Sequence, residues 1–129
     1  MILTTDDPVL IDLKKCLQEG DKVIATARNS SKLSFKGTTD SNYIALDLDV
    51  TSQQSIDNAF EKGFAKFGRI DVVCNNAGYG LSGEFESLSD KQIRTQMEVN
   101  FFGLLNVTRE ALKIMRRSEE RFSRNAETA

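Results

Sequence analysis

The stretch Ile70 to Gly78, Ile-Asp-Val-Val-Cys-Asn-Asn-Ala-Gly, limits the possible folds more than any other part of this chain. Ile70, Val72, Val73 and Cys74 form an apolar run too short for a helix, and Gly68 and Gly78 bound it. Such a run predicts a buried strand from Ile70 to Cys74 in the middle of a parallel sheet. Asn75 and Asn76 then fall beyond the strand's carboxyl end, where open α/β sheets present groups to a ligand. The alternative is that both asparagines only hydrogen-bond the turn.

The rest of the chain supplies matching pieces. Ile2–Thr5, Val23–Ala27 and Asn42–Leu48 read as further strands. Between them, Asp7 and Pro8 open a helix whose apolar face is Val9, Leu10, Leu13, Cys16 and Leu17, and Gly20 ends it. Leu33–Ser41 reads mainly as loop. Thr51 with Gln54 fits a capping box ahead of Ile56, Ala59, Phe60, Phe64 and Phe67, an aromatic stripe spaced to lie on the sheet. Ser89 with Gln92 opens a second capped segment, in which Ile93, Met97, Asn100 or Phe101, Leu104, Val107, Ala111 or Leu112, and Met115 mark a long amphipathic helix or two consecutive helices, with a break or bend near Asn100 and Gly103. Strands alternating with helices predict an α/β fold, a partial Rossmann-like doubly wound parallel sheet with flanking helices. Residues 1–116 would form this incomplete domain, and 117–129, charged and poor in large apolar residues, a polar helical extension or disordered tail.

Composition narrows the function. A formal charge of -2 offers no electrostatic case for nucleic acid. The chain lacks the run of about eighteen apolar residues that reads as a membrane span. Its opening residues lack the basic start and apolar stretch of a secretory signal. With no histidine, the commonest transition-metal ligand is missing, and no metal site is expected. Cys16 and Cys74 sit among apolar residues, which suits reduced thiols in the cytoplasm better than a disulfide.

Asn75-Asn76-Ala77-Gly78, preceded by Gly68-Arg69-Ile70-Asp71 and followed by Met97-Glu98-Val99-Asn100-Phe101-Phe102-Gly103, resembles the short-chain dehydrogenase/reductase family. The resemblance runs from about Cys16 to Arg116 and covers the first half of what a complete member contains. It implies a nicotinamide cofactor with Asn76, Ala77 and Gly78 at its site, Asp49 accepting from the adenine amino group, and Val50 lining the ring. Arg28, at the end of the second strand, suits the 2'-phosphate of NADP through multidentate contacts. An ordinary solvated strand end is the alternative for Arg28, and a strand-to-helix junction for Asp49. The resemblance also places Asn100 in a helix irregularity, as the one catalytic-group residue that carries over; otherwise it is a mid-helix polar contact.

Two departures stand out. The family's glycine-rich turn, which seats the cofactor pyrophosphate, should fall before Gly20, yet Asp7 and Val9 stand near its last two glycines. The carboxylates would repel a pyrophosphate and valine would obstruct backbone approach. Tyr43 is followed four positions on by Asp47 and Tyr79 by Gly83, so neither begins the family's Tyr-x-x-x-Lys pair. The resemblance thus implies an NADP-linked oxidoreductase fragment for a small hydroxyl or carbonyl substrate, truncated at both the glycine-rich start and the catalytic second half and inactive by itself. The alternative is a noncatalytic half-domain that self-associates or pairs with a complete relative. Either way a homo-oligomer is expected, with no nucleic-acid or membrane partner.

Overall fold

A computed structural model describes residues 2–4 and 13–128. Four short strands, β1 (Ile2–Thr4), β2 (Val23–Ala27), β3 (Tyr43–Asp47) and β4 (Val73–Asn75), form a parallel sheet in the order β3-β2-β1-β4. The helices are α1 (Leu13–Gln18), α2 (Gln53–Phe67), α3 (Asp90–Met97) and α4 (Leu104–Thr128), with a π-helical segment at Glu98–Gly103 joining the last two. Residues 5–12, which include the expected Asp7 cap, Pro8, Val9 and Leu10, lie outside the described residues.

The sheet's two faces follow from strand alternation. Val23↔Tyr43 and Ile24↔Ile44 are in register, so Val23 and Tyr43 share one face and Ile24 and Ile44 the other. Toward α2 and α4, Ile24 meets Ile56, Ala59, Phe60, Val107, Ala111 and Ile114, with Ile44, Leu46 and Val73 packed around them. Phe60 and Ile56 are fully buried, each such side chain stabilising the fold by roughly 1.5–3 kcal/mol. Toward α1, Val23 and Leu13 gather Cys16, Leu17, Phe35, Tyr43 and Cys74. Strand β2 is therefore apolar on both faces, as a central parallel strand must be.

Within that second cluster the Tyr43 hydroxyl is buried without a hydrogen-bond partner among the described residues. Burial also raises its pKa, since the charged form loses water. Removing an unsatisfied buried hydroxyl costs nothing in the native state. Tyr43→Phe should leave the chain as stable or raise its stability by up to about 1 kcal/mol, read as the urea midpoint. A clear loss would show that the hydroxyl has a partner.

Three expectations need correction. The strand expected at Ile70–Cys74 is Val73–Asn75, whose three residues pair with Ile2 to Thr4 of β1. Ile70 is buried, but ahead of the strand; Asp71 takes a two-pronged contact from Arg69, and Val72 is 53% exposed. That strand also sits at an edge of the described sheet, not in its middle. Second, Ser52 and not Thr51 caps α2, its side chain accepting from the Ser55 N–H at 3.3 Å. The Thr51 hydroxyl is already held by Asp49 at 2.7 Å.

The third concerns the long helix. Of the expected face, Val107 and Ala111 are buried, whereas Met97, Phe101 and Leu104 are exposed; among the described side chains Gly103 and Ile114 complete the buried face, and Leu112, the alternative to Ala111, is exposed. The π-helical segment wraps more residues per turn and so shifts the phase of everything after it. The bend expected near Asn100 and Gly103 is this segment. At α3 the Ser89–Gln92 capping box is present in both directions.

Candidate functional site

The carboxyl ends of β2 and β3, the turn after β4, and the helix spanning α3 and the π-helical segment surround a cleft of about 420 Å³. Its described lining comprises Thr26, Ala27 and Arg28 from β2 and its end, Leu48 to Thr51 after β3, Ala77 and Tyr79 after β4, and Thr95 and Val99 from the helix. This is the position at which open parallel sheets bind ligands, because the loops leaving the strands diverge there.

Each wall has a local cause. After β3 the chain turns on Asp49, whose Oδ1 accepts from the Thr51 N–H at 2.9 Å and the Thr51 hydroxyl at 2.7 Å. The Asp49 N–H donates to the Ser55 hydroxyl at 2.9 Å, fastening the turn to the first turn of α2. Asp49 thus fills the junction role that was one of its two readings, and its carboxylate also lines the cleft. Its pKa lies below the usual carboxylate value, first from the Thr51 hydroxyl, then from the Thr51 N–H, with the Arg28 charge adding to them.

A depressed acid stabilises the fold above its unfolded pKa and loses that contribution as pH falls through its folded one. Stability should therefore drop as pH is lowered from neutral to below the ordinary carboxylate range, and Asp49→Asn should flatten part of that decline in urea unfolding from pH 7 to pH 3. An unchanged slope would show that Thr51 does not favour the ionised form.

Residues after β4 are pinned from the helix. The Asn75 amide donates to the Thr108 hydroxyl at 3.1 Å. Asn100 grips Tyr79 at both ends of its backbone: its Oδ1 accepts the Tyr79 N–H at 3.0 Å and its Nδ2 donates to the Tyr79 carbonyl at 2.7 Å. Gly78 permits this approach, since a Cβ there would stand 3.1 Å from Asn100 Oδ1. On the other side of the segment Gly103 abuts Val50.

The structure brings Arg28, Asp49, Val50 and Ala77 to one cleft. Gly78 and Asn100 form its support rather than its lining, and Asn76 is exposed and outside the described lining. Thr95, Val99 and Tyr79 escaped the sequence reading. Thr95 and Val99 are one helical turn apart, a spacing that could have marked them as neighbours on one face.

The sequence profile described as short chain dehydrogenase matches residues 13–121. An uncharacterized oxidoreductase of Schizosaccharomyces pombe is 42% identical over 106 residues, covering 82% of this chain and 35% of that protein. The oxidoreductase calM of Penicillium decumbens is likewise 42% identical over 106 residues, covering 80% of this chain and 35% of the relative. The chain thus spans about a third of the length of these curated relatives. Among solved structures, the 3-ketoacyl-(acyl-carrier-protein) reductase of Brucella melitensis, complexed with NADH, superposes with a TM-score of 0.78 at 22% identity. That match covers 88% of this chain and 48% of the reductase.

Proposed function

The chain belongs to the short-chain dehydrogenase family, and on that premise we propose that its cleft seats the adenosine end of NADP, as part of an oxidoreductase for small hydroxyl or carbonyl substrates that does not turn over by itself. The observation that carries this is the convergence of Arg28, Asp49, Val50 and Ala77 on one cleft at the carboxyl ends of β2 and β3. Its volume of about 420 Å³ falls in the range of small-ligand sites. The donor set suits the group: a guanidinium for the 2'-phosphate, a carboxylate for the adenine amino group, and Val50, Ala77 and Val99 as apolar walls.

When bound, the nicotinamide cofactor supplies or accepts a hydride. This chain's residues hold and orient. Asn100 spends its amide on the Tyr79 backbone, and so fixes the loop beside the cleft. Neither tyrosine of the sequence matches the family's proton donor. Tyr43 stands at the amino end of β3, away from the cleft, and neither tyrosine has lysine four positions later. This supports absence of turnover.

A second reading, a noncatalytic half-domain that self-associates or pairs with a complete relative, draws on Met97, Phe101, Phe102, Leu104, Leu105 and Leu112, which are 39–48% exposed. Apolar side chains exposed together mark an association surface. The occupant proposed for this surface is another copy of the chain. Titration with NADPH by cofactor fluorescence, with a hydride-transfer assay on a carbonyl panel, tests the first reading: binding without turnover is expected. Reproducible turnover would contradict it. Solution mass measured across concentration tests the second, which predicts a dimer.

A further inference from the structure

The fold commits an unusual number of side-chain contacts to one exposed residue. Besides the two bonds from Asn100, the Gln96 Nε2 donates to the Tyr79 carbonyl at 3.2 Å. Three hydrogen bonds thus converge on the backbone of Tyr79, from two amides one helical turn apart. Its neighbours, Gly78 and Gly80, have no side chains, so within Gly78–Gly80 only Tyr79 presents one.

Core packing does not explain the clamp. Tyr79 is 41% exposed, belongs to neither apolar cluster, and lines the cleft across from Arg28 and Asp49. With its N–H and carbonyl turned to the helix, the ring is the part of the residue left to face a ligand. An aromatic ring at the lining of this cleft offers a π-face to a base.

We infer that Tyr79 is a ligand-contacting residue whose ring stacks on the purine base of the bound nucleotide, and that Gln96 is a positioning residue that holds it there; this rests on the proposal that the cleft seats NADP. Asn100 shares the clamp, but Gln96 acts only through it. The ring would set affinity for the base, while Arg28 would set preference at the 2' position.

The test uses the absence of tryptophan and the presence of only two tyrosines. In a Tyr43→Phe background all intrinsic tyrosine emission comes from Tyr79, and NADP⁺ binding should quench it through stacking. Tyr79→Phe should keep the affinity for NADP⁺, and Tyr79→Ala should weaken it about tenfold, within the range for one base–aromatic stack. Gln96→Met should weaken binding about threefold and reduce the quench at saturation, a signature that general destabilisation would not produce while circular dichroism is unchanged. Binding by the Tyr79→Ala chain within twofold of the parent, or saturation without quenching, would overturn this inference and leave the NADP proposal standing. Failure of the parent chain itself to bind NADP⁺ would overturn both.

Discussion

Replacing Gly103 with alanine should destabilise the chain by about 2–3 kcal/mol, at the upper end of what overpacking a core costs. The added Cβ would stand 2.6 Å from Val50 Cγ2, 2.9 Å from Val50 Cβ and 3.2 Å from the Glu98 carbonyl oxygen. None of these can move cheaply. Val50 is buried, and its backbone lies inside the turn that Asp49 fastens to Thr51 and Ser55. The helix must therefore back away from the turn, and since Val50 and Val99 both line the cleft, nucleotide affinity should fall with stability. Gly80→Ala is the control, because a Cβ there meets nothing within 4 Å. Urea unfolding of the two variants checks the account, and equal midpoints would contradict it.

Arg28→Ala should weaken NADPH binding by about 10- to 100-fold and leave NADH binding little changed. A hydrogen bond to a charged group contributes about 1.5–3 kcal/mol, and each 1.4 kcal/mol is about tenfold in affinity. Arg28 lines the cleft, near enough to Asp49 for its charge to lower the carboxyl's pKa. A ribose whose 2'-phosphate met this guanidinium would gain two parallel bonds that NADH cannot make. Parallel titrations of NADPH and NADH with parent and variant decide the matter. An equal loss for both cofactors would show that Arg28 acts on the shared part of the molecule, or only on the fold.

Local signals read correctly wherever local chemistry decided the structure. Strand β2 occupies Val23–Ala27 as its apolar run required, α2 ends at Gly68, and the Ser89–Gln92 box opens α3. Reading failed where a distant or neighbouring group intervened. Thr51 carries a good capping hydroxyl, but Asp49 two positions earlier claims it, and the cap moves to Ser52. Strand β4 falls where it pairs with Ile2–Thr4, a partnership that no property of Ile70–Cys74 discloses. The phase of α4 depends on the π-helical segment before it, so a single period fitted through Asn100 puts Phe101 and Leu104 on the wrong side and does not choose between Ala111, which is buried, and Leu112, which is exposed.

The candidate site divides the same way. Arg28 and Asp49 end strands that alternate with helices, so their meeting at one cleft could be anticipated from topology. Tyr79 could not, because Gly-Tyr-Gly in a loop carries no periodic signal. Its place follows from Gln96 and Asn100 reaching it from a helix 17 and 21 residues further along the chain. Such long-range polar contacts become visible only once the fold is in hand.

Amide chemical-shift mapping of isotope-labelled chain titrated with NADP⁺ tests most directly whether the cleft is the nucleotide's seat. Shifts should concentrate at Arg28, Asp49 to Thr51, Ala77 to Tyr79 and Thr95 to Val99, and saturate together. Shifts confined to the opposite edge of β3, around Asp47, Asn58 and Lys62, or none at saturating cofactor, would contradict it.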